Sequence, residues 1–284
     1  MHSGTIRIID ISAEAAKLTM FRGRTPQTSF AEREGSATIL GPYRDGMLLL
    51  AKSDGTGHWE THPEDELLYV LDGTMTVDIL DRDRVRTFEV GPGMLGFVPP
   101  GAWHRVRFDE GATVLSATIP GDHIDLDIDD PRKGEHSTVQ IETAMQSGAP
   151  TIIDLNAELA RITMLRRTPD ATAEDRKGSV ARLASYRDGY VFAIKSSGID
   201  HWESHLTGDE LVFILDGSAT LDSVGDDGPQ TFVMRAGMLA VIPQGVWHRL
   251  KSAEGVSQLS VTPFPGEHIE VDVDDPRTVS AMRG

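Results

Sequence analysis

Residues 57–66 of the chain read GHWETHPEDE, and residues 200–210 repeat the same pattern as DHWESHLTGDE. Each copy leads into an apolar run that ends in Asp-Gly, at 67–73 and at 211–217. A second pair of matching segments follows, GMLGFVPPGAWH at 93–104 and GMLAVIPQGVWH at 237–248. The two halves of the chain therefore carry the same two motifs in the same order.

The repeat extends over nearly the whole chain. YRDG occurs at 43–46 and 186–189, and DDPR occurs at 129–132 and 274–277. Matched positions are 143 to 145 residues apart throughout, so only single-residue insertions separate the copies. Two copies are too few for a solenoid, which indicates a tandem domain duplication. We predict an N-terminal domain at 1–137 and a C-terminal domain at 138–284, joined by a polar, turn-rich linker at 133–150.

Each half consists of short apolar runs bounded by Gly, Pro and Asp, for example 47–51, 67–71, 75–80, 86–90 and 113–117. Runs at this spacing are typical of an all-β sandwich or barrel. Residues 14–20 allow a turn or two of helix, but their repeat mate favours a strand that continues through Thr19 and Thr163. The segments 22–34 and 166–177 are polar and irregular, and we expect loops or lids there. The linker contains a weak helical signal at 139–145.

Composition excludes several classes of protein and of site. The 284 residues are 25% charged and 39% apolar, and the absence of a long apolar run argues against a transmembrane span. The N-terminal residues lack the pattern of a secretory signal, so we expect a cytoplasmic location. A net charge of −17 argues against nucleic acid or an anionic membrane surface as a partner. Without cysteine, a metal must be held by imidazole, carboxylate or amide groups.

Both motifs place metal-binding residue types at strand spacing. Alternate residues of a strand share one face. Three titratable side chains per half therefore point the same way: His58, Glu60 and His62, and His201, Glu203 and His205. A glutamate opens the next strand and a histidine follows the Gly-Pro-Gly turn: Glu66 and His104, and Glu210 and His248. Two imidazoles and two carboxylates suit a divalent first-row metal, whereas burying two carboxylates without a cation is costly.

These motifs resemble those of the cupin superfamily, in particular the two-domain bicupins. The first cupin motif, Gly-x5-His-x-His-x3–4-Glu-x6-Gly, is matched from its second histidine onward by His62, Glu66 and Gly73, and again by His205, Glu210 and Gly217. The second, Gly-x5-Pro-x-Gly-x2-His-x3-Asn, is matched up to its histidine at 93–104 and 237–248. The resemblance implies an all-β fold of two tandem double-stranded β-helix (jelly-roll) barrels.

The resemblance also implies a set of metal ligands in each half, which consists of Glu60, His62, Glu66 and His104 and, in the second half, Glu203, His205, Glu210 and His248. The chain departs from the family at the first histidine of the motif, which is Glu60 and Glu203 here, and at the closing asparagine, which is Phe108 and Ser252. We favour the glutamates as ligands because their spacing to the next ligand matches the family. The alternative is that His58 and His201 supply the missing imidazole, or orient the ligands from outside.

For function, the resemblance implies a range of metal-dependent reactions that includes those of dioxygenases, decarboxylases, isomerases and lyases. We expect an enzyme that acts on a small organic molecule, with a dioxygenase as one candidate and Glu66 and Glu210 as catalytic groups. Hard carboxylates beside imidazoles favour Fe²⁺ or Mn²⁺, Zn²⁺ and Ni²⁺ fit the same ligands, and up to two ions would bind per chain. The alternative is a metal- or small-molecule-binding or sensing cupin without catalysis; a storage protein is less favoured because both ligand sets are intact. We expect a monomer or a homodimer.

Overall fold

A computed structural model describes residues 4–81, 84–131 and 150–280. The chain forms two compact units. We call Ala13–Leu155 the N-terminal barrel, and Met1–Ser12 together with Asn156–Gly284 the C-terminal barrel. No helix in the described residues has the length and apolarity that crossing a membrane requires.

Strands account for most of both units, as the apolar runs predict. The first half of the chain contains β1 (Arg7–Asp10), β2 (Phe21–Arg24), β3 (Ala37–Tyr43), β4 (Gly46–Thr56), β5 (Trp59–Thr61), β6 (Glu66–Gly73), β7 (Met75–Asp81), β8 (Arg84–Val90), β9 (Met94–Val98), β10 (His104–Thr118) and β11 (Asp122–Ile124). The second half contains β12 (Thr151–Asp154), β13 (Leu165–Arg167), β14 (Val180–Tyr186), β15 (Gly189–Ile199), β16 (Trp202–His205), β17 (Glu210–Gly225), β18 (Gly228–Arg235), β19 (Met238–Ile242), β20 (Trp247–Pro263) and β21 (Gly266–Ile269). The helices are α1 (Ile11–Lys17), α2 (Leu155–Arg161) and α3 (Arg277–Ser280), with a 3-10 turn at Ala31–Arg33.

The two barrels have corresponding sheets. In the N-terminal barrel the main path runs β11-β5-β10-β6-β9-β12, with β4 and β7 also paired to β10. In the C-terminal barrel it runs β1-β19-β17-β20-β15-β13. The single long strand β17 takes the place of the two strands β6 and β7 of the N-terminal barrel. The fold is therefore all-β with two jelly-roll barrels, as predicted.

The short strand that precedes each repeat completes the barrel formed by the other repeat. β12 pairs with β9 in the N-terminal barrel, with Ile153 opposite Leu95. β1 pairs with β19 in the C-terminal barrel, with Ile9 opposite Leu239. The predicted boundary at 137/138 and the predicted helix at 139–145 lie outside the described residues. Among the residues described, 150–155 group with the first barrel and 4–12 with the second, which differs from a simple division into 1–137 and 138–284.

The prediction that the strand signal continues through residues 14–20 is wrong, because helix α1 occupies most of this segment and α2 occupies its repeat mate. Both sequences, ISAEAAK and LNAELAR, are rich in strong helix formers. Each also carries an acid–base pair three residues apart, Glu14 with Lys17 and Glu158 with Arg161. Local helix propensity therefore decides the conformation here.

Alternation along the strands separates each barrel interior from a second packed layer. Val70, Val77 and Ile79 are at most 1% exposed and belong to the apolar core of the N-terminal barrel. Burying each such side chain contributes about 1.5–3 kcal/mol. Trp59 packs outside that core with Leu80, and its Nε1 donates to the carbonyl of Ile128 at 2.9 Å. Trp59 is thus part of this second packed layer, and Trp202 has the same place in the C-terminal barrel.

Candidate metal centres

Four side chains of the C-terminal barrel converge because three strands meet in a fixed register. Alternation in β16 puts Glu203 and His205 on one face, and Glu203 lies opposite His248 of β20. Glu210 is the first residue of β17, which pairs with the same β20. The motif spacing thus becomes a cluster of side chains inside the barrel.

The ligand atoms of Glu203, His205, Glu210 and His248 all lie within 4.8 Å of one another, a grouping that could hold a metal ion. Oε2 of Glu210 is 2.8 Å from Nε2 of His248 and 3.3 Å from Nε2 of His205. Oε1 of Glu203 is 3.7 Å from Nε2 of His248. Three of the four residues are buried, and Glu203 is partly exposed. We call these four residues the C-terminal quartet.

The N-terminal barrel brings together the equivalent residues, which we call the N-terminal quartet. Glu60, His62 and His104 also have ligand atoms within 4.8 Å of one another. Oε2 of Glu66 lies 3.0 Å from Nε2 of His104 and 3.8 Å from Nε2 of His62. All eight residues predicted as ligands are therefore gathered in two clusters, one per barrel.

Backbone carbonyls orient one histidine of each quartet. Nδ1 of His104 donates to the carbonyl of Ala102 at 3.0 Å, and Nδ1 of His248 donates to that of Val246 at 3.1 Å. A carbonyl can only accept, so Nδ1 carries the proton and Nε2 faces the cluster. This is the arrangement by which proteins prepare an imidazole for a metal ion.

Several buried atoms of the quartets have no hydrogen-bond partner among the residues described. These include both ring nitrogens of His62 and of His205. Nε2 of His248 and Oε2 of Glu210 form an ion pair at 2.8 Å, but their geometry does not meet that of a hydrogen bond. Buried polar atoms normally have a hydrogen-bond partner, so the lack of one here is consistent with a site that binds a cation.

The charges of the cluster shift its pKa values. Burial lowers the pKa of His104, but the hydrogen bond and charge of Glu66 outweigh it and raise the pKa to about 9. Burial also lowers the pKa of His205, but the charge of Glu210 raises it to about 9. Burial raises the pKa of Glu210, whereas His205 and His248 bring it down to about 2. Without metal, protons on the imidazoles therefore compensate the carboxylates, and a divalent cation would take their place.

Within the quartets, His58 and His201 contact the motif glutamates and not the histidines. Nε2 of His58 donates to Oε2 of Glu60 at 3.1 Å. Burial raises the pKa of Glu60, but this hydrogen bond and the charges of nearby imidazoles hold it well below its usual range. Nε2 of His201 lies 3.6 Å from Oε2 of Glu203. This geometry favours Glu60 and Glu203 over His58 and His201 as ligands, and the assignment stays a prediction.

A cavity of about 480 Å³ opens onto the C-terminal quartet. Its wall combines apolar side chains such as Val212 and Leu250 with polar ones such as Gln258 and Thr262. The hydroxyl of Thr262 donates to Oε1 of Glu210 at 2.6 Å and so holds that carboxylate in place. The cavity has the size and mixed lining of a small-molecule site.

Sequence reasoning missed residues that surround the quartets. Arg167, Arg176 and His268 line the C-terminal cavity, and the two arginines lie in the segment 166–177, which the sequence predicts to be a loop or lid. Nδ1 of His268 is 2.9 Å from Nε2 of His201, and these two histidines with Glu203 form a further group of clustered ligand atoms. The sequence does contain a signal for these residues, because each recurs at the matching position of the first half. Arg167, for example, lies in RTP at 167–169, which matches RTP at 24–26.

The fold and the clusters define a protein of two jelly-roll barrels, each with buried histidines and carboxylates. The model of the cupin domain family matches the chain twice, at residues 46–118 and 190–262. These matches cover just over half of the chain, which therefore belongs to the cupin family and contains two cupin domains. No curated protein sequence matches the chain.

Solved structures of similar fold include mutant forms of oxalate decarboxylase from Bacillus subtilis. One has 14% identity and a TM-score of 0.52, and the match covers 97% of this chain and 83% of that one. A second has 14% identity and a TM-score of 0.50, with 90% and 78% covered. A further structure concerns the Mn(II) centres of that enzyme, with 14% identity, a TM-score of 0.48, and 85% and 74% covered. At such identities the likeness extends to the fold alone.

Proposed function

We propose that the chain holds a divalent transition-metal ion in each barrel and is a metal-dependent enzyme that acts on a small organic molecule. The observation that carries this proposal is the C-terminal quartet, whose four ligand atoms lie within 4.8 Å of one another beside a cavity of about 480 Å³. An intact quartet in the N-terminal barrel supports an ion there as well.

The donor set decides which metals are expected. Two imidazoles and two carboxylates favour Mn²⁺ or Fe²⁺, and Zn²⁺ or Ni²⁺ accept the same donors. A bound ion would act as a Lewis acid and as a template for the substrate. We expect the quartets to supply every protein ligand, with coordination positions left for substrate.

The surrounding residues would orient these ligands. The carbonyls of Ala102 and Val246 hold Nε2 of His104 and His248 toward the centre. His58 fixes one oxygen of Glu60, and Thr262 fixes one oxygen of Glu210. With a pKa of about 2, Glu210 stays charged and is a weak base, so it serves first as a ligand. A catalytic role for Glu66 and Glu210, and oxygen chemistry of the dioxygenase type, stay predictions.

The test is turnover before and after metal removal. Purified protein is dialysed against a chelator, reloaded separately with Mn²⁺, Fe²⁺, Zn²⁺ or Ni²⁺, and assayed on organic acids, diketones, phenolic acids and sugars while oxygen consumption is recorded. We expect turnover that disappears with the metal and returns with one of the ions. Metal binding without substrate turnover or oxygen consumption would contradict catalysis and favour a binding or sensing protein.

A further inference from the structure

The repeat places one buried arginine at the same point of each barrel. Arg24 ends β2 and pairs with Gly55 of β4, and Arg167 ends β13 and pairs with Gly198 of β15. Arg24 is 8% exposed and Arg167 is 5% exposed. Since Arg167 lines the cavity beside the C-terminal quartet, Arg24 takes the equivalent position in the N-terminal barrel.

A second arginine accompanies each of these. Arg33 and Arg176 are equivalent in the repeat, each two residues before Gly-Ser. Arg176 lines the C-terminal cavity, and its guanidinium donates to Nδ1 of His201 at 3.2 Å. Arg33 is 7% exposed, so Arg24 and Arg33 are both buried, whereas Arg176 is partly exposed.

The two barrels differ in what balances these charges. In the C-terminal barrel, Arg167 forms an ion pair with Asp200, which is itself buried. In the N-terminal barrel, Gly57 stands where Asp200 stands in the repeat. A Cβ on Gly57 would lie 3.3 Å from Cζ of Arg24, so the guanidinium is aimed at the place where an aspartate side chain would begin.

Neither Arg24 nor Arg33 has a carboxylate within ion-pair distance in the ranges 4–81, 84–131 and 150–280. Nε of Arg24 and Nε of Arg33 are buried there without any hydrogen-bond partner. Burial and the charge of Arg33 lower the pKa of Arg24 to about 10, although the charge of Glu60 raises it, so the group keeps its charge at neutral pH. Glu60 acts on Arg33 in the same way, but it forms no ion pair with either guanidinium. A buried charge without a partner is strongly unfavourable, and a guanidinium binds carboxylates through paired hydrogen bonds.

We propose that Arg24 and Arg33 bind the carboxylate of a small organic acid in the N-terminal barrel. In the C-terminal barrel the ion pair between Arg167 and Asp200 prevents the equivalent binding. The inference rests on the proposed function, since the bound acid would be the substrate of the N-terminal centre. A carboxylate is favoured over phosphate because Glu60 and Glu66 belong to the same barrel interior and repel a dianion more strongly.

The test is a ligand-observed NMR titration with propionate, run on metal-free and on Zn²⁺-loaded protein. Propionamide is the uncharged control, and inorganic phosphate is the competing anion. R24Q removes one guanidinium, and G57D installs the aspartate of the other barrel. The backbone of Gly57 lies outside the left-handed region, so an aspartate there is not strained by φ. R167Q is the matched control, and D200G frees Arg167.

We expect R24Q and G57D to weaken propionate binding about tenfold or more, which corresponds to about 1.4 kcal/mol. R167Q should leave it unchanged, D200G should add a second site, and propionamide should not bind. The proposal is overturned if propionate does not bind in the millimolar range, if R24Q or G57D binds propionate as tightly as the wild type, or if phosphate binds more tightly than propionate. Metal content is measured on the same samples. Arginine-dependent propionate binding in protein that takes up no metal would defeat the proposed function and leave this inference standing.

Discussion

In the C-terminal barrel, the hydroxyl of Thr262 donates to Glu210 at 2.6 Å, whereas the equivalent hydroxyl of Thr118 in the N-terminal barrel is buried without a partner among the residues described. The quartets themselves are alike. Glu66 accepts instead from Nε2 of His104 at 3.0 Å. The same ligands are therefore held by different neighbours in the two barrels.

The arginines extend this comparison. Asp200 forms an ion pair with Arg167 in one barrel, whereas in the other Gly57 stands at the equivalent position and Arg24 has no ion pair among the residues described. The register of the strands fixes the ligands, so both copies retain them. The groups around the ligands belong to loops and strand ends, where a single substitution changes the charge of the site. We infer that the two centres are similar in metal chemistry and different in the ligands they accept.

The largest expected effect is the loss of one ion at a time. H104A removes a ligand from the N-terminal quartet and H248A removes its equivalent from the C-terminal quartet. Each variant should retain the ion of the other barrel, and the double variant should retain none. The ratio of metal to protein, measured by elemental analysis, checks this. H58A is the comparison variant, because His58 contacts Glu60 from outside the quartet, so its loss should weaken the N-terminal site without abolishing it. Equal metal loss in H58A would make His58 a ligand.

The two threonines test how each carboxylate is held. T262V removes the hydrogen bond to Glu210, and loss of such an outer contact lowers metal affinity about 10- to 100-fold. T118V removes a hydroxyl that has no partner in the described structure, so N-terminal affinity should hardly change. Competition with a fluorescent chelator measures both. Equal effects of the two substitutions would contradict the difference between the barrels.

Stability should depend on pH in opposite ways with and without metal. The folded pKa of His104 and that of His205 are raised from about 6.5 to about 9. The resulting stabilisation of the metal-free protein is fully present below about pH 6.5 and is lost as the pH rises through about 9, by an amount on the order of a few kcal/mol. Metal binding requires neutral imidazoles, so stabilisation by added metal should grow over the same range. Urea unfolding at pH 6 and pH 9, with chelator and with metal, measures both trends. A metal-free protein that gains stability as the pH rises would contradict the pairing of these histidines with carboxylates.

The smallest effect concerns the packing outside the cores. W59F and W202F each remove an indole N–H that donates to a backbone carbonyl, at 2.9 Å and 2.8 Å. Each should cost about 0.5–1.5 kcal/mol, the net contribution of a typical hydrogen bond, because both carbonyls are only partly buried. Denaturant titration should give similar losses for the two barrels. A much larger loss in one variant would indicate that the barrels differ in this layer too.

The quartets could be predicted from the sequence because they depend on two simple regularities. Strand alternation places Glu60 and His62 on one face, and the repeat shows the same spacing twice. The burial of the arginines could not be predicted, because Arg24 and Arg33 lie in a polar segment without periodicity. Their recurrence in the repeat marks them as similar in the two halves, but only the folded chain brings them to the interior. Short strands such as β1 and β12 carry no sign of the barrel they will join, since either repeat offers a matching edge. The helices α1 and α2 do not follow from the similarity of the two halves around Thr19 and Thr163, which favours a strand. They follow from the local preference of alanine, leucine and charged residues for helix.

The number of transition-metal ions bound per chain tests the central claim most directly. Elemental analysis of freshly purified protein, repeated after chelator treatment and reloading with Mn²⁺ or Fe²⁺, should give up to two ions per chain in the wild type. H104A and H248A should each reduce this number by one while the β-rich circular dichroism spectrum is retained. A correctly folded wild-type protein that contains no transition metal and takes up none on reloading would contradict the claim that the two quartets are metal centres.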